Sequence, residues 1–216
     1  MLEALGVKLE LSPAAVGRCI EQAGIGFMFA PAFHPAMRHA GPVRREIGIR
    51  TVFNILGPLT NPAGASAQLI GVADPAVAET MAAVLGRLGS EHALVVHGRD
   101  GLDEISLGDA TDVWELKEGQ VSTSTVEPED MGLERVRKDE MKVGDADESA
   151  LKTRQVLDGA AGPARNVVLA NAAGALLAAD RVSSLEEGVS VAAESIDGGG
   201  ARRSLDILVE LSQGLE

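Results

Sequence analysis

The stretch AQLIGVADPAVAETMAAVLGRLGSEHALVVHG, residues 67–98, decides the fold. It opens with an apolar run over Ala67–Val72 and closes with a second over Ala93–Val96, and both runs are typical of buried strands. Between them, Pro75 opens a helix that ends at Gly89. Strand, helix and strand in this order predict a βαβ unit with parallel strands and a right-handed crossover. One face of the helix carries its apolar side chains, which are Val77, Met81, Val84, Leu85 and Leu88.

A predicted hairpin follows this unit. Thr111–Leu116 and Val121–Val126 flank the pair Glu118-Gly119, which indicates a tight turn and an antiparallel edge to the sheet. Upstream, the apolar run Gly26–Ala30 predicts one more buried strand. The sequence therefore predicts the α/β class, with a mixed, mostly parallel sheet that is flanked by helices and has an antiparallel edge hairpin. Further helices are predicted after Ser12-Pro13 and over 147–157, 165–180, 185–196 and 201–211.

The composition favours a packed domain and argues against some partners. Of the 216 residues 45% are apolar but only 2% are aromatic, so a core must consist mainly of Ala, Val, Leu and Ile. With 19 basic against 32 acidic residues the net charge is −13, and a field of that sign repels a nucleic-acid backbone. We therefore expect no nucleic-acid partner, and an anionic substrate must meet a local cluster of donors or cations.

The sequence also indicates a cytoplasmic protein without a membrane partner. The longest apolar stretch, Val167–Ala179, is interrupted by Asn171 and is shorter than the ~20 residues that a membrane helix needs. Cys19 is the only cysteine, so no internal disulfide can form. Met1–Leu5 lacks the basic and apolar regions of a signal peptide.

The first candidate site follows the predicted strand Gly26–Ala30. Pro31 and His34 lie in the next loop, and in open α/β sheets ligands collect outside the carboxyl ends of strands. Arg44, ten residues beyond His34, offers a planar guanidinium that matches a carboxylate with two hydrogen bonds. From the residues alone, a packed loop histidine and a solvated arginine are the simpler interpretation.

The second candidate site is the run from His97 to Glu104, just past the strand Ala93–Val96. Its adjacent carboxylates, Asp103 and Glu104, are hard oxygen ligands that suit Mg²⁺, which takes one or two carboxylates together with waters and substrate phosphates. An acidic pair in a loop is more often simply solvated, so the pair alone does not decide the chemistry.

Several longer runs resemble the anthranilate phosphoribosyltransferase family, and the resemblance covers essentially the whole chain. The most specific is the uninterrupted run from Arg50 to Pro62. The other runs are Phe29-Ala30-Pro31, His34–Met37, Val43–Gly48 and Val96–Glu104. The resemblance implies an incomplete nucleoside-phosphorylase/phosphoribosyltransferase-type domain.

The resemblance also implies a reaction and a role for each candidate residue. The reaction is transfer of phosphoribose from phosphoribosyl pyrophosphate to the amino group of anthranilate in tryptophan biosynthesis, with release of pyrophosphate and assistance from Mg²⁺. Arg44 would hold the anthranilate carboxylate, and Ala30, Pro31 and His34 would line its entrance. Asp103 and Glu104 would hold Mg²⁺ against the pyrophosphate. The resemblance assigns no catalytic base, and it implies a homodimer for the full-length enzyme.

The resemblance further implies that residues 1–216 are the C-terminal part of the catalytic α/β domain. The family's phosphate turn, Gly-Thr-Gly-Gly-Asp, does not occur in this sequence. Residues 42–60, with two short helices ending at Gly48 and Gly57, would form a hinge segment that packs on an N-terminal helical domain. We therefore expect these 216 residues to be inactive alone.

Two other functions stay open at this point. One is a pyrimidine nucleoside phosphorylase or another phosphoribosyltransferase with the same fold. The other is a non-catalytic acidic domain that only binds Mg²⁺ or a partner protein.

Overall fold

A computed structural model of the chain describes residues 1–33 and 53–215. The described residues form two compact units. The first contains residues 1–33, 143–160 and 195–215, and the second contains residues 53–142 and 161–194. The helices are α1 (Pro13–Ala23), α2 (Ala30–Phe33), α3 (Phe53–Leu59), α4 (Ala78–Arg87), α5 (Ala146–Leu157), α6 (Pro163–Ala178), α7 (Leu185–Asp197) and α8 (Gly200–Gly214). The strands are β1 (Ala67–Gly71), β2 (His92–Gly98), β3 (Thr111–Lys117) and β4 (Gln120–Val126), and short 3₁₀ turns cover Pro75–Val77, Pro128–Met131 and Lys138–Met141.

The four strands form one mixed sheet in the order β1-β2-β3-β4. β1 and β2 are parallel, as the βαβ pattern predicted, whereas β2 with β3 and β3 with β4 are antiparallel. All seven residues of β2 are buried, because both faces of this central strand are covered. The predicted α/β class, the mixed sheet and the antiparallel edge hairpin are thus confirmed. The prediction of a mostly parallel sheet is wrong for the described strands, which form one parallel and two antiparallel pairs, because a loop without a crossover helix joins β2 to β3.

Helices cover both faces of the sheet in the second unit. Alternate residues of a strand point to opposite faces, so Ala93 and Val95 join the α4 core while Leu94 and Val96 join the α6 core. The α4 core also contains Met81 and Leu85, and the α6 core also contains Ile105, Leu107 and Ala170. Two apolar cores therefore hold the carboxyl ends of β1 and β2 in place.

The first unit is helical in its described part and has a core of its own. Ser12 caps α1, its Oγ accepting from the Ala15 amide at 3.3 Å, and Gly24 ends the helix with φ 75°. α1 packs against α8, and α5 joins the same cluster. The buried side chains are Leu5, Val7, Leu11, Ala15, Val16, Cys19, Ala23, Ala150, Leu205 and Leu208.

Two of the expected elements differ from the structure. Gly26–Ala30 is not a strand, because the described part of the first unit contains no strand with which it could pair. Gly57 does not cap a helix, since α3 continues past it to Leu59 and includes Pro58. Ile55 and Leu59 of α3 pack on the α4 core. The helix expected to end at Gly48 lies outside the described residues.

The remaining predicted helices are confirmed to within a few residues, and Asp145 caps α5 by accepting from the Glu148 amide at 2.8 Å. Among the described helices, none has both the length and the apolar character that crossing a membrane requires.

Candidate functional site

The loop from Arg99 to Ala110 joins β2 to β3 and carries both predicted metal ligands, Asp103 and Glu104. It begins at the carboxyl end of β2, the same edge of the sheet at which the parallel β1 ends. Ligands of open α/β sheets bind outside this edge. The structure thus places the carboxylate pair where the sequence predicted it.

Gly71, the last residue of β1, lets the loop approach the sheet closely. A Cβ atom at this position would lie 1.5 Å from the Asp103 carbonyl oxygen and 2.4 Å from the carbonyl carbon, so no larger residue fits without moving the loop. The Asp103 backbone therefore rests directly on the end of the parallel strand.

A tight turn at the start of the loop is held by its own hydrogen bonds. The Gly98 amide donates to the Leu102 carbonyl at 2.8 Å, and Gly101 adopts φ 88°. The Asp100 carboxylate accepts from the Leu102 amide at 3.3 Å and from the Ser106 hydroxyl at 2.9 Å. Asp100 thus joins the two ends of the segment that contains the carboxylate pair, which makes it a structural residue.

His97 fixes the strand ends beneath the loop. Its ring is buried, and its Nδ1 donates to the Val72 carbonyl at 2.8 Å, which ties the residue after β1 to β2. Because a carbonyl can only accept, this contact places a proton on Nδ1. The histidine of the predicted second site therefore supports the strands.

Asn171 of α6 holds the other end of the carboxylate segment. Its Oδ1 accepts from the Ile105 amide at 2.9 Å, and its Nδ2 donates to the Ile105 carbonyl at 3.0 Å. Nδ2 also donates to the Val167 carbonyl at 3.0 Å. Two features of the sequence single out Asn171: it interrupts an apolar run, and Asn171-Ala172-Ala173 weakly resembles the family named above. Neither feature predicts its contacts with Ile105.

The carboxylates of the loop repel one another. Asp103 is exposed and Glu104 is half-buried. Burial raises the pKa of Glu104 above the usual glutamate range, and the neighbouring charges of Asp103 and Asp100 raise it further. A cation bound beside this pair would relieve the repulsion.

An ion pair joins the first residue of the loop, Arg99, to strand β3. Arg99 donates from both Nε and Nη2 to the Asp112 carboxylate of β3, at 2.7 to 3.2 Å. The hydrogen bond from Arg99 lowers the pKa of Asp112. Thr125 of β4 donates to the same carboxylate at 3.1 Å, so the hairpin and the loop share one polar contact.

The donor set fits Mg²⁺, the metal that the resemblance implies. Within residues 1–33 and 53–215, no group of three or more His, Cys, Asp or Glu side chains is arranged to hold a metal ion. Mg²⁺ does not need such a cage, because one or two carboxylates with waters and phosphate oxygens satisfy it. Asp103 and Glu104 would supply those carboxylates, and the phosphate groups of a bound substrate would supply further oxygens.

The first candidate site is described only in part. Ala30 and Pro31 are exposed at the start of α2 in the first unit. The Ala32 and Phe33 amides donate to the Phe29 carbonyl at 2.9 and 3.2 Å, which closes this short turn. His34 and Arg44 lie outside the described residues. The contact of Arg44 with a carboxylate and the place of His34 at the entrance therefore stay predictions.

The fold and the loop together define a class of protein: an α/β domain with an acidic pair, Asp103 and Glu104, at the carboxyl ends of its parallel strands, the edge at which open α/β sheets bind ligands. Residues 1–202 match the model of the family described as glycosyl transferase family, a/b domain. The chain belongs to this family.

Curated relatives extend the similarity over the whole chain. Anthranilate phosphoribosyltransferase of Symbiobacterium thermophilum is 57% identical over 215 residues, and that of Thermomicrobium roseum is 58% identical over 218 residues. Each alignment covers 100% of this chain but only 63% of the relative. The chain thus spans less than two thirds of the length of these relatives.

Solved structures give the same result. Anthranilate phosphoribosyltransferase from Thermus thermophilus matches with a TM-score of 0.91 at 46% identity, over 98% of this chain and 63% of that one. The Saccharomyces cerevisiae enzyme in complex with PRPP and Mg matches with a TM-score of 0.86 at 29% identity, over 99% of this chain and 62% of that one.

Proposed function

We propose that this chain is the part of an anthranilate phosphoribosyltransferase that binds Mg²⁺-pyrophosphate and the acceptor. The reaction moves phosphoribose from phosphoribosyl pyrophosphate to the amino group of anthranilate and releases pyrophosphate. The observation that carries the proposal is the Asp103-Glu104 pair, anchored at the carboxyl ends of β1 and β2 in a chain similar throughout its length to such enzymes.

Asp103 and Glu104 act on the leaving group. As the bond to pyrophosphate breaks, negative charge accumulates on the departing oxygens while the ribose becomes oxocarbenium-like, and a fixed arrangement of opposite charge lowers the barrier. Mg²⁺ supplies that positive charge when it is bound. The two carboxylates would hold the ion, and the loop backbone, anchored at Gly71 and Asn171, would keep them in place without rearrangement.

Arg44 acts on the acceptor. Its guanidinium pairs with the anthranilate carboxylate through two hydrogen bonds, and Ala30, Pro31 and His34 line the entrance. The aromatic amine of anthranilate is largely unprotonated at neutral pH, so positioning contributes more than a strong base would. We assign no catalytic base.

The proposal extends to the complete enzyme. It is a cytoplasmic homodimer that binds neither nucleic acid nor membrane, and residues 42–60 form the hinge to an N-terminal helical domain. The phosphate turn of the family does not occur within the 216 residues. We therefore expect this chain alone to leave anthranilate unchanged.

A chimera tests the proposal. The chain would be joined to the part of the Symbiobacterium thermophilum relative that the alignment leaves uncovered. We expect this chimera to consume anthranilate fluorescence in the presence of phosphoribosyl pyrophosphate and Mg²⁺. Asp103→Asn with Glu104→Gln should abolish turnover, and Arg44→Ala should mainly raise the KM for anthranilate.

The chimera also gives the result that would refute the proposal. A folded chimera that binds both substrates but turns neither over would exclude the reaction. Unchanged turnover in the Asp103→Asn, Glu104→Gln variant would exclude the assigned metal ligands.

A further inference from the structure

We infer that Asn171 is a positioning residue, because its side-chain amide fixes the backbone at Ile105 and thereby the direction of the adjacent carboxylates, Glu104 and Asp103. This inference rests on the proposed role of that pair as metal ligands. It adds a residue that touches neither the metal nor the substrate but determines how the ligands are presented.

The hydrogen bonds of the Asn171 side-chain amide are satisfied in only one orientation of the amide. Oδ1 accepts from the Ile105 amide and Nδ2 donates to the Ile105 carbonyl, the same reciprocal pairing that joins two strands. The second hydrogen of Nδ2 goes to the Val167 carbonyl. Rotating the amide by 180° would place NH₂ against N–H and oxygen against oxygen, so the pairing is unique.

The helix that carries Asn171 is itself fixed to the strands. α6 packs against β1 and β2, the two strands whose carboxyl ends meet the loop. One turn beyond Asn171, Gly174 makes room for Ile105: a Cβ atom there would lie 2.7 Å from Ile105 Cδ1. Ile105 is thus held by its backbone through Asn171 and by its side chain over Gly174.

An amide is not the residue that the helix alone would favour at this position. Asparagine lowers helix propensity, and Asn171 interrupts a run that is apolar from Val167 to Ala179. An apolar residue would pack there but would leave the polar groups of the buried Ile105 unpaired. The loop therefore accounts for the asparagine.

Metal affinity tests the inference. Asn171→Leu keeps the branched shape of the side chain and removes all its hydrogen bonds, and Asn171→Ala truncates the side chain at Cβ. The probe is Mn²⁺ added to the 216-residue chain, followed by paramagnetic broadening of the backbone amides of residues 103–106. We expect both variants to bind Mn²⁺ about 10- to 100-fold more weakly, the loss seen when residues that orient metal ligands are removed.

Two control variants separate positioning from loss of stability and from failure of the metal site. Leu85→Ala opens a cavity in the α4 core, on the opposite face of the sheet, and should lower stability without changing Mn²⁺ affinity. Asp103→Asn with Glu104→Gln should abolish the broadening.

The possible results distinguish the role of Asn171 from the existence of the metal site. Unchanged affinity in Asn171→Leu, in a chain whose binding depends on the carboxylates, would overturn the role of Asn171 alone. An equal loss of affinity in Leu85→Ala would overturn it as well. Broadening that persists without the carboxylates, or never appears in the unsubstituted chain, would overturn the metal site and this inference together.

Discussion

At Gly71 the absence of a side chain decides whether the carboxylate loop can form. The Cβ atom of Gly71→Ala would lie 1.5 Å from the Asp103 carbonyl oxygen, and a backbone atom cannot rotate away. We expect this variant to lose stability at or beyond the upper end of the ~1–3 kcal/mol range for overpacked sites. Urea denaturation measures the loss.

A second glycine gives a matched control for Gly71. Gly17 in α1 has nothing within 4 Å of an added Cβ atom, so Gly17→Ala should gain about 0.5–1 kcal/mol through helix propensity. If Gly71→Ala were as stable as the unsubstituted chain, the close approach of the loop would be wrong.

Glu104 should lower the stability of the metal-free chain at neutral pH. Its pKa is raised by burial and by Asp103 and Asp100, so the folded state holds its proton more tightly than the unfolded state. This contribution to stability is complete below the ordinary glutamate pKa and is lost as the pH rises through the raised one. Glu104→Gln should therefore raise the melting temperature at neutral pH and have little effect at the lowest pH at which the chain stays folded.

Asp112→Asn is a control that should change stability at neutral pH in the opposite direction, by lowering the melting temperature. Arg99 lowers the pKa of Asp112, so its stabilising contribution is present at neutral pH and fades as the pH falls through the lowered pKa. Both variants would be melted in chelator across the same pH series. A Glu104→Gln variant that is less stable than the unsubstituted chain at neutral pH would contradict the raised pKa.

The position of the two carboxylates after the end of a buried strand could be predicted from the sequence, but the contacts that hold their loop could not. Asp103 and Glu104 follow an apolar strand, and the run around them resembles a family motif, so both signals are local in the chain. Gly71 and Asn171 contact the same loop but are distant from it in the sequence. Gly71 lies 32 residues before Asp103, and Asn171 lies 67 residues after Glu104. Such contacts depend on tertiary packing, and a single glycine or asparagine carries no spacing that indicates them.

In the hairpin between β3 and β4, replacing the turn residue Glu118 should increase the stability of the chain. Both Glu118 and Gly119 have positive φ, 51° and 75°, as a two-residue hairpin turn requires. A glutamate pays roughly 1–2 kcal/mol for this conformation, whereas asparagine adopts it readily. We expect Glu118→Asn to raise the free energy of unfolding by roughly 1 kcal/mol in urea denaturation.

Glu118→Gln controls for the charge in this experiment. Glutamine is neutral like asparagine but keeps the longer side chain, which cannot stabilise the left-handed backbone in the same way. An equal gain in Glu118→Gln would show that lost charge repulsion, and not the turn conformation, is responsible.

Elements with a strong local signal were predicted correctly, and those that needed a partner were not. The hairpin and the βαβ unit follow from turn residues and apolar periodicity, and both are confirmed. Gly26–Ala30 has the composition of a strand, but a strand forms only where another can supply hydrogen bonds. Gly57 resembles a helix cap, yet α3 continues past it to Leu59, whose side chain packs on the α4 core.

The net negative charge of the whole molecule repels the anionic substrates of the proposed reaction, and a locally bound cation must overcome this repulsion. A net charge of −13 repels both phosphoribosyl pyrophosphate and the anthranilate carboxylate, and it destabilises the compact state through self-repulsion. Salt screens these interactions beyond a Debye length of about 10 Å at 0.1 M. Any cation should thus stabilise the chain somewhat, while one bound between Asp103 and Glu104 should stabilise it further.

Magnesium chloride should therefore raise the melting temperature of the chain more than sodium chloride does at equal ionic strength. Binding to the folded state alone stabilises it in proportion to the logarithm of the free ligand concentration, so the excess should keep growing as MgCl₂ is added. Asp103→Asn with Glu104→Gln should lose this excess but keep the response to NaCl. The matched variant Asp139→Asn with Glu140→Gln removes two charges from an adjacent pair on an exposed 3₁₀ turn and should keep the excess. If both double variants lost it equally, Mg²⁺ would be acting through the overall acidic field and not through a site at the strand ends.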